Sequence, residues 1–120
     1  MELKLVLTGE TPSKKNSRIN TRSGRSFPSK KYSGWHKTAK MQVLAQTVPE
    51  QFEFGLVLSI RFVHGDLRRR DSDNMVSSIL DLLVDSKVLL DDNWQIVNRI
   101  EVDNSYEKGN PHCLITLKSI

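Results

Sequence analysis

The chain has 120 residues, 38% hydrophobic and 27% charged, with a formal net charge of +4. This length predicts one domain, residues 1–120, with a core of its own, and the composition excludes a disordered or low-complexity chain. The single cysteine, Cys113, excludes an internal disulfide and a cysteine-rich zinc site. No apolar run approaches the ~18 residues of a membrane span, and Lys4 interrupts the short apolar N-terminus, so no signal peptide or membrane partner is expected and the expected compartment is cytoplasmic.

In chain order, residues 2–8 alternate Leu3, Leu5 and Leu7 with polar neighbours, the period of a strand with one apolar face. Residues 9–32, rich in Gly, Pro, Ser, Asn, Lys and Arg, have no apolar period and predict a long functional or disordered loop. Ser33 is the expected cap of a helix to about Val48, stopped by Pro49. Its apolar stripes are Trp35, Ala39, Val43 and Met41, Leu44, Ala45, Val48. Residues 52–63 form the clearest strand, with Phe52, Phe54, Leu56, Leu58, Ile60 and Phe62 on one face.

A second helix is expected from near Asp73 to Asp85–Lys87, because Val76, Ile79, Leu80 and Leu83 recur at helical spacing. Residues 95–103 alternate again, "NSYEKGNPH" reads as a hairpin-like loop, and residues 113–118 form a last strand. The order βαβαββ predicts an α+β fold, a small mixed sheet of about four strands with two main helices.

Charge is distributed unevenly. Residues 1–40 hold ten Lys or Arg against two Glu, and residues 41–120 hold eight against twelve acids. A basic first third suits a polyanion, while the acids call for a different use.

That use centres on "RRRDSDN", residues 68–74. Asp71 and Asp73 open the second helix, and Asp91 and Asp92 follow it. Clustered carboxylates repel unless a cation neutralises them, and such oxygen donors suit Mg²⁺ or Mn²⁺ rather than zinc. A calcium loop is excluded because Met75 and Val76 stand where it needs an oxygen ligand and a glycine. The helix between the two pairs spans ~21 Å, so "KVLL" would have to run back along it for the pairs to meet. Helix capping accounts for Asp71 and Asp73 as well, and a polar turn for Asp91 and Asp92; spacing leaves both readings open. Asn74 either orients an aspartate or helps cap the helix.

Arg68, Arg69 and Arg70 can grip phosphates or form a solvated basic turn. Lys14, Lys15, Arg18, Arg22, Arg25, Lys30 and Lys31 extend the positive surface toward a DNA backbone. Phe27, Tyr32 and Trp35 could stack on bases, with a core role the stronger expectation for Trp35. His36, His64 and His112 show no metal-ligand spacing, and no glycine-rich phosphate loop or Ser-His-Asp arrangement is present.

The combination of "RRRDSDN", the amphipathic "MVSSILDLLVDSKVL", "LDDNWQIV" and the early "PSKKNSR" resembles the RusA family of Holliday junction resolvases over nearly the whole chain. The resemblance implies an intertwined homodimer and a magnesium-dependent endonuclease, with manganese an alternative ion and no nucleotide cofactor. Its substrate would be the four-way DNA junction, cut symmetrically on two opposing strands. Asp71, Asp73 and Asp92 match the family's metal-binding catalytic acids, and Asp91 matches a neighbouring acid. The family's lysine four residues after the second acid is Ser77 here, so either another cation, Arg70 or Lys87, substitutes or this member is a weak nuclease. Two alternatives accompany this reading: a non-catalytic branched-DNA-binding protein, and a nuclease acting more broadly on flaps or forks.

Overall fold

The computed structural model describes residues 2–13, 18–20, 24, 26–46, 52 and 55–120. A four-stranded mixed sheet is built from β1 (Glu2–Thr8), β4 (Leu56–His64), β5 (Val97–Tyr106) and β6 (His112–Ser119), in the spatial order β1-β6-β4-β5. Between β1 and β4 come a short antiparallel pair, β2 (Arg18–Asn20) and β3 (Ser26–Pro28), and helix α1 (Lys30–Gln46). Helix α2 (Ser72–Asp85) connects β4 to β5, which run parallel. The α+β class, the four-strand sheet and the two main helices are as the apolar periodicity predicts; the β2–β3 pair is added within the stretch expected to be loop.

One face of the sheet packs against the helices. Leu5 and Leu7 of β1, Leu56, Leu58, Ile60 and Phe62 of β4, and Cys113, Ile115 and Leu117 of β6 are buried at alternate positions, as period-two side chains require. Met75, Ile79, Leu82 and Leu83 of α2 and Ala39 and Val43 of α1 close the core. Truncating one of the fully buried leucines to alanine costs about 2–5 kcal/mol. Among the described residues no helix is long and apolar enough to cross a membrane.

Several boundaries move for identifiable reasons. Ser29, not Ser33, caps α1, its hydroxyl accepting from the Tyr32 amide at 3.2 Å. The buried stripe of α1 is narrow: Tyr32, Ala39 and Val43 are inside, while Met41 and Leu44 are 65% and 58% exposed. Residues 107–111 do not join a hairpin. They cross the end of β4, where Glu107 N donates to His64 O and Gly109 N to Gly65 O, because β6 pairs with β1 and β4 rather than with β5. Phe52 is a single bridge to Leu89 rather than part of β4, and Phe54 lies outside the described residues.

The two edges of the sheet differ. At β1, α1 supplies glutamines as substitutes for a neighbouring strand: Gln46 Oε1 accepts from Val6 N at 2.8 Å and its Nε2 donates to Val6 O at 2.7 Å. Gln42 Oε1 accepts from Thr8 N at 3.0 Å. Among the described residues, strand β5 has no such cover. Nine of its ten residues are exposed, with Ile100, Val102 and Tyr106 among them.

Candidate active site at the start of α2

Asp71 occupies the N-cap position of α2 in extended backbone conformation, φ −94° and ψ 122°, yet its side chain makes no cap hydrogen bond. The helix starts through the backbone, Met75 N donating to Asp71 O at 3.4 Å. The exposed Asp71 carboxylate is therefore free of the capping role. Asp73 sits in the first turn, where the helix dipole favours a carboxylate, about 200° around the axis from Asp71. Asp71 lines a cavity of about 360 Å³ together with Glu10, Lys31, Arg68, Arg69 and Arg70; Asp73 does not. Ser77 gives its hydroxyl to the Asp73 carbonyl at 3.1 Å and supplies no charge.

A polar network underlies this turn. Arg70, its side chain only 18% exposed, donates to Asp66 Oδ1 at 2.8 Å, and its Nη2 lies 3.2 Å from Glu10 Oε1. The latter contact is an ion pair off the line of a hydrogen bond, so that buried Glu10 oxygen has a cation beside it but no donor aimed at it. The Arg68 backbone N–H, then the Arg70 guanidinium, hold the Asp66 carboxyl below its ordinary value. His64 Nδ1 is 2.8 Å from Glu10 Oε2 and its Nε2 2.9 Å from Asn104 Oδ1; Asn104 Nδ2 donates to Ser72 Oγ at 3.3 Å. Ser78 Oγ donates to Pro12 O at 2.6 Å and ties the cavity's other wall to α2. Burial pushes the Cys113 thiol up to about 12, with Glu10 adding to the shift and a Thr11 hydrogen bond opposing it.

Asp91 and Asp92 lie at the other end of α2. After the helix, Val88 N and Leu89 N both donate to Leu83 O, and Leu90 N donates to Phe52 O. The segment that would have to run back along the helix for the pairs to meet instead docks ahead of β4, where Leu56 N also donates to Ile96 O. Asp71 and Ser72 adjoin Asn104 near the end of β5, whereas Asp92 is one turn ahead of its first residue, Val97. Within one chain the two acid pairs are thus separated by the length of α2, about 21 Å. Asp91 spends its carboxylate locally: Oδ1 accepts from Asp92 N at 2.8 Å and Oδ2 from the Asn93 amide at 3.2 Å. These donors, the Asp92 backbone first, hold the Asp91 carboxyl below its ordinary value. Asp92 is exposed and, like Asp73, has no ion-pair partner among the described residues.

The remaining predicted residues divide. Arg68 and Arg69 are exposed, with side chains 82% and 92% accessible. Lys30 is exposed at the start of α1, beside Lys31. Lys14, Lys15, Arg22 and Arg25 lie outside the described residues, and only the backbones of Arg18 and Phe27 are described. Asn74 is buried and points away from a surface role. Lys87, at φ 63°, is at the far end of α2 from Asp71, and Arg70 is held by Asp66 and Glu10, so neither stands free beside Asp71.

Sequence reasoning missed Glu10, Asp66, Asn104 and the role of His64. It also missed a group between the helices. His36 Nε2 is 2.9 Å from Asp85 Oδ2 and its Nδ1 3.9 Å from Asp81 Oδ2, while Tyr32 donates to Asp81 at 3.0 Å. The ligand atoms of His36, Asp81 and Asp85 lie within 4.8 Å of one another. Helical spacing of Asp81 and Asp85 was visible in the sequence, but not their meeting with a histidine 45 positions away. The three groups pin α1 to α2.

The chain has counterparts among known proteins. The family model described as Endodeoxyribonuclease RusA matches residues 9–118, from the loop that lines the cavity to the end of the sheet. A protein of Aquifex aeolicus (strain VF5) named "Crossover junction endodeoxyribonuclease RusA" is 23% identical over 117 residues, covering 98% of this chain and 91% of its own. With the match running from Gly9 through the D-x-D turn and α2 to Lys118, the chain belongs to the RusA family of endodeoxyribonucleases.

Proposed function

We propose that this chain cuts four-way DNA junctions as a two-fold dimer, in which Asp71 and Asp73 of one subunit and Asp92 of the partner subunit form each cutting site. The observation that carries the reading is the placement of the two acid groups at opposite ends of α2, with the uncovered edge of β5 running between them. Two copies of β5 paired antiparallel put the beginning of one strand beside the end of the other. That pairing brings Asp92 of the partner subunit toward Asp71 and Asp73, and closes an edge that otherwise invites association. A two-fold axis then supplies two equivalent sites, one for each of two opposing strands.

The donor set fits a hard divalent cation: Asp71, Asp73 and Asp92 are exposed oxygen donors, and the Asp71 side chain is not consumed as a cap. When bound, Mg²⁺ or Mn²⁺ supplies Lewis-acid charge at the scissile phosphate. The chain's own residues do the rest. Arg68, Arg69, Lys30 and Lys31 hold the flanking DNA backbone by charge-assisted contacts. Asp91 fixes the turn from which Asp92 projects, and the helix dipole of α2 supports its two acids.

The test is purified protein with labelled four-way junctions, forks and flaps, with Mg²⁺, with Mn²⁺ and with chelator. Paired symmetric nicks in the junction, dependent on a divalent ion, support the reading. Equal cutting of forks and flaps shifts it to a broader nuclease, and tight binding without cutting under either ion shifts it to a DNA-binding protein.

A further inference from the structure

The relay Glu10–His64–Asn104–Ser72 contains more acceptors than a neutral histidine can serve. Glu10 Oε2, 2.8 Å from His64 Nδ1, is a carboxylate oxygen and only accepts, so Nδ1 keeps its hydrogen. At the opposite side of the ring, Nε2 faces Asn104 Oδ1 at 2.9 Å, which also only accepts. Two arrangements remove the conflict. In the first, His64 carries two protons and donates to both neighbours, and the Asn104 amide donates to Ser72 Oγ, as the 3.3 Å contact shows. In the second, His64 has one proton, and the Asn104 amide turns by half a revolution. Its NH₂ then donates to Nε2, and its oxygen accepts from the Ser72 hydroxyl. Ser72 stands between Asp71 and Asp73.

We propose that His64 and Asn104 are positioning residues for the D-x-D turn, and that the number of protons on His64 decides which way the Asn104 amide and the Ser72 hydroxyl point. Its effect on cutting rests on the nuclease reading above; the relay itself does not. The surroundings suit a coupled device. His64 has a side chain 14% exposed and stacks on Phe62 at 6.4 Å, so its ring cannot swing freely. The charged groups around it are Glu10 in direct contact, Arg70 against the other Glu10 oxygen, and Asp66 against Arg70. On α2 the relay ends between Asp71 and Asp73, and on β6 the nearby Cys113 is a buried thiol. In the two-proton state Ser72 is an acceptor toward Asn104 and its hydrogen is free for another partner; in the one-proton state that hydrogen is committed to Asn104. The turn holding two of the proposed ion ligands thereby gains a hydrogen-bond tether to β5 whose direction follows a proton on β4. Residues that orient ligands in this way typically cost about 10- to 100-fold in activity or ion affinity when removed.

The experiment uses the full chain free of metal for one readout and junction cutting for the other. In ¹⁵N spectra of the imidazole rings, His64 is expected to pass from two ring N–H signals to Nδ1–H alone as pH rises. The Asn104 side-chain amide signals should shift in step, and His64→Gln should remove that pH dependence from them. In cutting assays, His64→Gln and Asn104→Ala are expected to lower kcat about 10- to 100-fold with KM for the junction within about twofold, and to remove a step from the pH profile. His112→Gln, on the neighbouring strand, should change neither. A His64 ring with its proton on Nε2 alone, or both variants cutting at the parent rate across the pH range, would overturn the proposal. A fall in folded signal by circular dichroism that matches the fall in kcat would also overturn it, by assigning the pair to structure. If the parent protein cuts no DNA, the nuclease reading fails separately, and the coupled ring and amide signals still decide the relay.

Discussion

Arg70 donates to Asp66, four residues earlier, at 2.8 Å, so the last arginine of the run faces the protein and only Arg68 and Arg69 face outward. The three adjacent guanidiniums should therefore respond differently to removal. Arg70→Ala leaves the Glu10 carboxylate without its cation and is expected to lower unfolding free energy by about 1–3 kcal/mol. Arg68→Ala and Arg69→Ala should leave the melting temperature unchanged and each lower the slope of log affinity against log salt by about one. Thermal melts and salt titrations of junction binding read the two effects separately.

The shared site makes a mixing prediction. Asp73→Asn and Asp92→Asn should each abolish cutting alone while holding junction affinity within about twofold, since neither change touches a phosphate-binding cation. A dimer of one Asp73→Asn and one Asp92→Asn subunit carries one doubly substituted site and one intact site. Mixed proteins should nick one strand of the junction, detected on a denaturing gel. If both acids act within a single subunit, mixing restores nothing.

The edge of β5 can be tested without touching an acid. Val102, 36% exposed at the middle of that strand, becomes a charged edge residue in Val102→Lys. The variant should keep the parent's far-ultraviolet spectrum, elute as a monomer in gel filtration and lose cutting. A monomeric parent would remove the dimer reading directly.

Asp91 and Asp92 should separate by role and by pH. Because the folded state depresses the Asp91 carboxyl below its ordinary 3.8, it contributes stability above that value and loses it as pH falls through the folded value. The exchange protection of the Asp92 backbone amide and the Asn93 side-chain amide, relative to unstructured amides, should hold at neutral pH and be lost in acid. In Asp91→Asn, that protection should already be lower at neutral pH and no longer change as the pH falls. Cutting should fall about 10- to 100-fold in Asp91→Asn, because the change alters a positioning turn, and disappear in Asp92→Asn.

Cys113 is fully buried, with its thiol pushed up to about 12 chiefly by burial. Since the thiolate is the reactive form, the native protein should resist a disulfide reagent at pH 8 and react fully once unfolded in urea. Rapid reaction of the folded chain would show that the β6 core opens readily.

Local pattern already contains much of this molecule. Leu3, Leu5 and Leu7 mark β1 at its observed bounds, the Leu56–Phe62 alternation marks the face of β4, and the helical spacing of Ile79 and Leu83 marks α2. These signals are legible because period two and period 3.6 are properties of a few neighbouring residues. The D-x-D at the start of α2 was legible for the same reason. Whether Asp71 caps was not, because capping depends on where a carboxylate turns, and here it turns to the cavity.

What the fold alone decided is which distant groups meet. Backbone ladders carry no residue code, so nothing in the run from 95 to 118 announced that β6 would lie between β1 and β4 and leave β5 at the edge. That choice parted Asp92 from Asp71, joined Asn104 to Ser72, and set His64 against Glu10 across 54 positions. The amino-acid order determined which acids and guanidiniums the chain owns and the elements that carry them. The tertiary packing determined their partners, because hydrogen bonds and ion pairs act over a few ångströms of space, whatever the distance along the chain.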